Sequence, residues 1–455
     1  MTAAVSPAPP RRRRGTELFM LAFAVLVGLA AYAAVSVASQ GALPAELARL
    51  GAGLAALVLL AHLLVRWLAP YADPLLLPAV TLFNGLGLVL LHRLDPDIPN
   101  GPLAPAQLLW SAVGVVGFAA VLLLVRDHRM LQRYTYTAGF LGLVLLLLPL
   151  VPGLGTEING ARIWIRAAGF SFQPGELAKL FLMVFFAGYL VAKRDVLALA
   201  SKRVLGLDLP RGRDLGPVLL AWVASLAVLV FERDLGTSLL FFGVFVMMIY
   251  VATERLSWLL IGVALFAGGA YVAYQLFGHV RQRVAIWMDP FADPSGDGFQ
   301  IVQSLYGLAN GGILGTGLGQ GRPESLDIYA STDFITATVG EELGLTGLMA
   351  LLVLYGIVVE RGLRAAIGVR DAFGKLLAAG LAFVFALQVF VVVGGVTKLI
   401  PLTGLTLPFL AYGGSSLVAN WMLVALLLRI SDAARRPTPV PRAVSDETQT
   451  QVVRR

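Results

Sequence analysis

The chain has 455 residues, of which 58% are hydrophobic and only 14% are charged, and its mean hydropathy is +0.80. These values exclude an ordinary soluble domain and are typical of a protein that crosses a membrane several times. The net charge of +8 does not indicate a nucleic-acid partner, because the basic residues fall in short clusters between apolar runs. The absence of cysteine excludes disulfides, thiolate metal sites and a cysteine nucleophile.

The N-terminal segment, residues 1–17, contains three prolines and four consecutive arginines, so we predict a disordered basic tail. An apolar run of about twenty residues follows, from Leu18 to Ala38, without a convincing cleavage site. We therefore predict that this run is a membrane anchor rather than a signal peptide.

The rest of the chain contains further apolar runs of spanning length, and we predict an all-α polytopic membrane protein with about 12 transmembrane helices. The predicted spans lie near residues 18–38, 51–69, 75–91, 107–125, 136–152, 176–192, 216–231, 236–252, 257–277, 335–358, 375–397 and 410–430. Two or three of them are short, so the count is uncertain by about one.

The basic residues predict the orientation of these spans. Roughly 25 of the 35 lysines and arginines lie in the loops and tails of one face, and such loops stay on the cytoplasmic side. We therefore predict a multi-pass plasma-membrane protein with both termini in the cytoplasm and a long extracellular loop at 278–334. The C-terminal segment 433–455 is predicted to be a second disordered tail.

Asp333 stands where the long polar loop runs into an apolar helix. A carboxylate in that position faces the positive end of the helix dipole, which helps to keep it ionised. Capping is the commonest role of such a residue, and spacing alone favours capping over chemistry.

A second outward segment carries Arg162, Trp164 and Arg166 and leads to Glu176 and Lys179 at the start of the next helix. Lys179 already lies inside the apolar run, three positions after Glu176 and on the same face. Intramembrane charges are costly, so this pair is either a structural ion pair or part of a functional site. The spacing leaves both possibilities open.

Asp234 lies in a turn of three consecutive charges, Glu232, Arg233 and Asp234, between two apolar helices. Its better-supported role is that of N-cap of the following helix, although three charges in one turn also favour a shared polar cavity.

The long loop opens with His279, Arg281 and Arg283, which suit either lipid headgroups or a pyrophosphate. The segment 394–416 contains Lys398, two prolines and several glycines, which break a helix at membrane depth. Such a break is tolerated where the backbone is buried in protein or lines a cavity.

The glycine-rich run Gly315–Gly321 resembles a phosphate-binding loop, but no buried strand precedes it, so a tight turn is favoured. The short loops on the basic face lack a Walker lysine motif. We expect no nucleotide cofactor.

Five motifs in order, INGARIWI, QPGELAK, DLGTS, STDFITATVGEELGLTG and PLTGLTLPFLAYGGSSL, make the chain similar to the SEDS family, the RodA, FtsW and SpoVE proteins of shape, elongation, division and sporulation. The resemblance covers roughly residues 75–432, so 18–74 is expected to be an additional N-terminal pair of helices. The last motif is more similar to the family's actinobacterial RodA branch than to its FtsW branch.

The resemblance implies a peptidoglycan glycosyltransferase that polymerises lipid II on the outer face of the membrane, for elongation or for division. Asp333 matches the family's essential aspartate, which reverses the preference for capping. The matching supporting positions are Arg162, Trp164, Glu176, Lys179 and Asp234. The chemistry needs one base, assigned to Asp333, and cations for the pyrophosphate, for which the candidates are Arg162, Arg166, Lys179, Arg281 and Lys398.

The resemblance also implies a class B penicillin-binding protein as partner, beside lipid II, the nascent lipid-linked glycan and membrane lipids. A divalent cation, Mg²⁺ or Mn²⁺, is a possible cofactor, and its ligands are unknown. Two alternatives stay open: a lipid II flippase, and a non-catalytic scaffold for the penicillin-binding protein.

Overall fold

The computed structural model describes residues 13–44, 47–95, 102–158, 161–167, 170–198, 200–204, 207–210 and 216–437. The helices are α1 (Arg14–Gln40), α2 (Leu47–Leu68), α3 (Leu76–Leu94), α4 (Leu103–Leu124), α5 (Thr135–Leu147), α6 (Pro174–Ala198), α7 (Gly216–Phe231), α8 (Leu235–Thr253), α9 (Leu256–Leu276), α10 (Gly278–Met288), α11 (Phe299–Gly311), α12 (Ile335–Gly368), α13 (Ala372–Val396) and α14 (Gly414–Arg435). The strands are β1 (Gly155–Ile158), β2 (Ala161–Ala167), β3 (Phe170–Phe172), β4 (Ala200–Val204) and β5 (Leu207–Pro210).

The predicted all-α polytopic class is confirmed. Within the described ranges, 11 helical segments are long and apolar enough to cross a membrane. Helix α7, with 16 residues, is shorter and coincides with another predicted span. The prediction of about 12 spans stays a prediction.

The predicted C-terminal boundary of the N-terminal tail, residue 17, is wrong, because α1 begins at Arg14. Arg14 is buried, and its guanidinium binds the Glu17 carboxylate and the Ala72 carbonyl. Glu17 also contacts His62 Nδ1 at 2.7 Å. These contacts hold residues 14–17 in the helix, although their polarity alone favours a disordered tail.

The predicted C-terminal tail likewise begins too early, since α14 continues to Arg435. The remainder of the two predicted tails, residues 1–12 and 438–455, lies outside the described residues. The division of the chain at residue 75 stays a prediction, although α1 packs on α3 and α2 on α4.

Helix α14 lies at the centre of the bundle and packs against α4, α6, α12 and α13. Its Trp421 is fully buried and makes edge-to-face contacts with Phe118 and Phe409, each at 5.7 Å between ring centroids. Because Phe409 belongs to the irregular segment before α14, this packing fixes that segment to the core.

Helix α12 contains a break at Gly344, whose φ of 67° suits glycine. The glycine-rich run packs into this break: Leu345 and Thr346 donate their N–H groups to the carbonyls of Gly312 and Ile313. Gly315, Gly317 and Gly319 all have positive φ. The predicted tight turn is confirmed.

The segment 278–334, predicted as a long loop between two spans, contains helices of its own. It contains α10 and α11 and ends in a 3-10 segment, Pro323–Ser331. Helix α11 packs against α12, and its Ser304 Oγ donates to the Val396 carbonyl of α13 at 3.2 Å. The segment is therefore built into the end of the bundle.

Two small antiparallel sheets connect helices. The sheet β1–β2–β3 lies between α5 and α6, and the hairpin β4–β5 lies between α6 and α7. We call the end of the bundle where α6, α8, α12 and α14 begin the Asp333 end, and the end where they finish the opposite end.

Candidate active site

Asp333 lies in the turn between the 3-10 segment and α12. The capping prediction is wrong for this residue: the N-cap of α12 is Phe334, and it receives no side-chain cap. The buried Phe334 and the hydrogen bond from Tyr412 N to Ser331 O, at 2.7 Å, anchor the turn to the segment before α14. These contacts fix the turn that carries Asp333, and its carboxylate does not cap α12.

The capping prediction for Asp234 is confirmed. Its Oδ1 accepts from the backbone N–H of Thr237 at 2.9 Å, and its Oδ2 accepts from the Thr237 hydroxyl at 2.6 Å. The residue is buried. Capping and a place in a shared polar site therefore coincide in one residue.

Glu176 and Lys179 form a buried ion pair, with Nζ and Oε2 at 2.7 Å. Lys179 Nζ also donates to Gln388 Oε1 at 2.9 Å, and Gln388 Nε2 donates to the Thr406 carbonyl at 2.9 Å. This chain of contacts joins α6, α13 and the irregular segment before α14. The pair has a structural role in that junction.

The irregular segment 397–413 forms a wall of the site. A Cβ added at Gly404 would lie 3.9 Å from Asp333 Oδ2, so the carboxylate faces this backbone. Ser415, at the start of α14, accepts from Gln173 N through its Oγ at 2.8 Å, immediately before α6. These contacts bring the QPGELAK, TDF and PLTGL motifs to one place.

Arg283 is the cation that acts on both aspartates. Burial raises the pKa of Asp333 to about 6, the positive charge of Arg283 opposes the rise, and the negative charge of Asp234 adds to it. Burial also raises the pKa of Asp234, while its hydrogen bonds from Thr237 and the charge of Arg283 lower it. Arg283 is held by a hydrogen bond to the Leu402 carbonyl at 2.6 Å.

The sequence selected Arg281 rather than Arg283 as a candidate, and the structure shows Arg281 exposed. Two residues on a helix point about 200° apart, so only one of the two arginines can face the site. The sequence contains both arginines, but it does not show which face of α10 is turned toward the site.

The remaining predicted cations are less central. Arg162 donates its backbone N–H to the Glu232 carbonyl at 3.2 Å, so β2 contacts the turn before Asp234. Trp164 lies on the same strand, opposite Thr156. Arg166 is exposed. Lys398 is partly buried, and its carbonyl accepts from Trp287 Nε1 at 3.1 Å.

A large apolar cavity opens beside the site, with a volume of about 580 Å³ between α5, α6, α7 and α8. Its walls are almost wholly hydrophobic, and Glu232 is the one ionisable acid among its lining residues. Burial and the neighbouring Asp234 raise the pKa of Glu232 to about 8. The sequence placed Glu232 in the charged turn but did not select it as a site residue.

The described residues contain no group of three or more acidic or histidine side chains that could hold a metal. A divalent cation here would therefore have few protein ligands and would need oxygens from a bound phosphate.

The arrangement as a whole is a partly buried carboxylate, a cation whose charge acts on it and an adjoining apolar cavity. A carboxylate with a pKa near 6 is mostly ionised at neutral pH and can accept a proton from a hydroxyl. The cavity suits a long hydrocarbon chain.

Comparisons with known proteins agree with the motifs. The sequence profile of the FtsW/RodA/SpoVE family, described as a cell cycle protein, matches residues 75–436. The chain is 55% identical to peptidoglycan glycosyltransferase RodA of Mycobacterium tuberculosis over 440 residues, which cover 95% of this chain and 93% of the relative. It is 53% identical to the protein of that name from Mycobacterium leprae over 438 residues, with the same coverage of both chains.

Solved structures share the fold. A chain of a peptidoglycan synthase complex, reported for the structural coordination of polymerization and crosslinking, superposes with a TM-score of 0.64 at 30% identity, over 81% of this chain and 99% of that chain. The rod shape determining protein RodA of Thermus thermophilus superposes with a TM-score of 0.56 at 27% identity, over 80% and 98%. On the profile match and the mycobacterial identities together, the chain belongs to the FtsW/RodA/SpoVE family.

Proposed function

We propose that this protein is a peptidoglycan glycosyltransferase that polymerises lipid II into β1,4-linked glycan strands, for cell-wall elongation and cell shape. The observation that carries the assignment is Asp333, a partly buried carboxylate with a pKa raised to about 6 beside an arginine. The name of the mycobacterial relatives, at 55% identity over 95% of the chain, supports the same activity.

In this reaction the C4 hydroxyl of the acceptor sugar attacks the anomeric carbon of the donor. The new glycosidic bond forms as the bond to the lipid pyrophosphate breaks, and the configuration inverts. Asp333 accepts the hydroxyl proton, because its carboxylate is ionised at neutral pH while its raised pKa makes it a better base than an exposed aspartate.

The leaving pyrophosphate needs positive charge, and Arg283 is the best candidate to supply it. Its planar guanidinium suits a phosphate, and its charge already acts on the two aspartates. Lys179 is less suitable than the sequence suggests, because its ammonium is engaged by Glu176 and Gln388.

A divalent cation on the pyrophosphate is a further part of the proposal. Mg²⁺ commonly takes one or two protein carboxylates together with substrate phosphates, and Asp234 keeps lone pairs beyond its two bonds to Thr237. Such an ion would neutralise charge on the leaving group.

The apolar cavity between α5 and α8 would hold a polyprenyl tail. Its polar end, Glu232, lies two residues before Asp234 in the chain, so a tail in the cavity would bring its pyrophosphate toward the site. Because the bound lipid tail would hold the donor near Asp333, the two sugars would not have to meet by free diffusion.

The proposed orientation places the Asp333 end outside the cell and both termini in the cytoplasm, as the distribution of basic residues supports. A class B penicillin-binding protein is the proposed partner. It is supported by the likeness to a chain from a complex that coordinates polymerization and crosslinking.

The decisive experiment measures polymerisation of lipid II by the purified protein, with and without a penicillin-binding protein whose transpeptidase site is inactivated. Wild type should produce glycan chains, and Asp333→Asn should reduce the rate at least about 100-fold, since the base is lost. The melting temperature of the variant should equal or exceed that of wild type, because a buried charge is removed.

Equal polymer from wild type and Asp333→Asn would exclude Asp333 as the base. No polymer from wild type with its partner and divalent cations would exclude the enzyme itself, and a lipid II translocation assay would then test the flippase alternative.

A further inference from the structure

The opposite end of the bundle contains a second polar cavity, of about 250 Å³, between the ends of α4, α12 and α14. Five arginines line it: Arg126, Arg129, Arg370, Arg429 and Arg436. Among the described residues, two carboxylates, Asp127 and Asp432, line it with them. We call this cavity the arginine pocket. It lies at the other end of α12 from Asp333 and takes no part in the proposed reaction.

Among the described residues that line the arginine pocket, the carboxylates are fewer than the arginines. Asp432 pairs with Arg436 at 2.6 Å and also accepts from Tyr71 N at 2.7 Å. Arg129 faces Asp371 at 3.4 Å, although that carboxylate also binds His128 at 2.8 Å. Among the described residues, no carboxylate lies within 4.0 Å of Arg126. The pocket thus keeps an excess of positive charge.

One of the arginines that line the pocket, Arg429, is buried in the protein. It is only 4% exposed, and its two terminal nitrogens donate to the Leu68 and Leu122 carbonyls at 2.5 Å each. Its Nε is buried without an acceptor in the described part of the chain. Because Arg429 also lines the cavity, its positive charge favours an anionic oxygen there.

The position of the arginine pocket points to a lipid anion. Arg126 follows Leu124 at the end of α4, and Arg370 follows Ile367 at the end of α12. Leu124 is 73% exposed and Ile367 is 81% exposed, so both side chains offer apolar surface to hydrocarbon close to the arginines. The pocket therefore lies at the level where acyl chains give way to headgroups.

We propose that the arginine pocket binds the phosphate of an anionic phospholipid. The arginines would hold the phosphate, and the acyl chains would lie on the exposed apolar side chains that precede Arg126 and Arg370. Basic pockets between transmembrane helices commonly take anionic headgroups in this way. A soluble phosphate would satisfy the same arginines, but it would not cover Leu124 and Ile367.

The test uses the full-length protein, freed of lipid and placed in phosphatidylcholine micelles with increasing phosphatidylglycerol. Native mass spectrometry counts the phosphatidylglycerol molecules that remain bound, and thermal unfolding gives the apparent affinity. The pocket variant is Arg126→Gln/Arg370→Gln, which leaves the buried Arg429 and the Asp432–Arg436 pair intact. The matched control is Arg66→Gln/Arg133→Gln, which removes two exposed arginines outside the pocket.

Wild type and the control variant should retain phosphatidylglycerol in preference to phosphatidylcholine, and the pocket variant should lose affinity about tenfold or more. Equal loss in the control variant would indicate attraction by overall charge and would overturn the proposal. A competition arm adds glycerol 3-phosphate or inorganic phosphate at the same concentration. Displacement of the lipid by either would identify a soluble anion as the ligand and would also overturn it.

Discussion

The carboxylates at the two ends of the helical bundle have different partners. At the opposite end, Asp73 is fully buried and binds Arg435, and Asp432 pairs with Arg436. At the Asp333 end, neither Asp333 nor Asp234 has a cation within 4.0 Å among the described residues. The same residue type is therefore held by a cation at one end, whereas at the other end Asp333 lacks such a contact and has a raised pKa.

This difference separates structure from chemistry. A direct cationic partner favours the charged form and makes a carboxylate a poor proton acceptor. Burial without such a partner raises the pKa, as in Asp333, and allows proton transfer near neutral pH. The Asp333 end has exceptions: Arg93 lies 3.3 Å from Glu342, and Lys179 pairs directly with Glu176.

The first prediction concerns the Glu176–Lys179 ion pair. Lys179→Met leaves the buried Glu176 without a cation, and loss of one partner of a buried pair costs about 3–5 kcal/mol of unfolding free energy. Denaturant or thermal unfolding in detergent measures the effect. The double variant Glu176→Gln/Lys179→Met should recover most of the loss; if it is as unstable as the single variant, the ion pair is not the cause.

The second prediction concerns Arg283, the cation whose charge acts on Asp333. Arg283→Gln should reduce the polymerisation rate about 100-fold, comparable to removing a donor that stabilises developing negative charge. Arg281→Gln is the matched control, two residues away on α10 and exposed, and should keep nearly full activity. If the two variants lose activity equally, the surface charge of α10 matters rather than a contact with the pyrophosphate.

The third prediction concerns the opposite end. Asp73→Asn weakens the contact with Arg435 and reduces the attraction to Arg361, which lies 3.8 Å away. We expect a loss of about 1–3 kcal/mol in stability, with the polymerisation rate per folded molecule unchanged. Measuring both quantities on one preparation checks this, and a selective loss of activity would show that the ends are coupled.

Much of the fold could be predicted, because apolar runs of spanning length are hard to mistake. The predicted spans coincide with the helices to within a few residues in most cases, as 236–252 does with α8. Helix ends that depend on tertiary contacts could not be predicted. Arg14 belongs to α1 because it binds Glu17 and Ala72, and no local pattern shows the second of these contacts.

The site was predicted as a set of motifs, and its internal geometry was not. Asp333, Asp234, Glu176 and Lys179 do come together, through contacts with the irregular segment before α14. The choice between Arg281 and Arg283 depends on the rotation of a helix inside a predicted loop. The raised pKa of Glu232 depends on an apolar cavity formed by four separate helices.

The last prediction is a pH profile that sharpens the contrast between paired and unpaired carboxylates. Because Asp333 must be ionised to accept a proton, and burial raises its pKa to about 6, the polymerisation rate should fall about tenfold per unit below pH 6. Glu232, with a pKa of about 8, titrates on the other side of neutrality. Glu232→Gln should therefore leave the acid limb in place while removing any change near pH 8.

An acid limb near pH 4 would show that Asp333 behaves as an exposed aspartate, and the argument from burial would fail. The paired aspartates give the internal comparison. The pKa of Asp371 is lowered: burial raises it, but the hydrogen bond from Gly374 N–H and the contacts with His128 and Arg129 outweigh that effect. Asp371 therefore stays ionised across the range in which Asp333 titrates. A stability change between pH 7 and pH 5 that Asp333→Asn removes would then belong to the unpaired carboxylate alone. Its sign is fixed, because a raised pKa in the folded state makes the protein more stable as pH falls through 6.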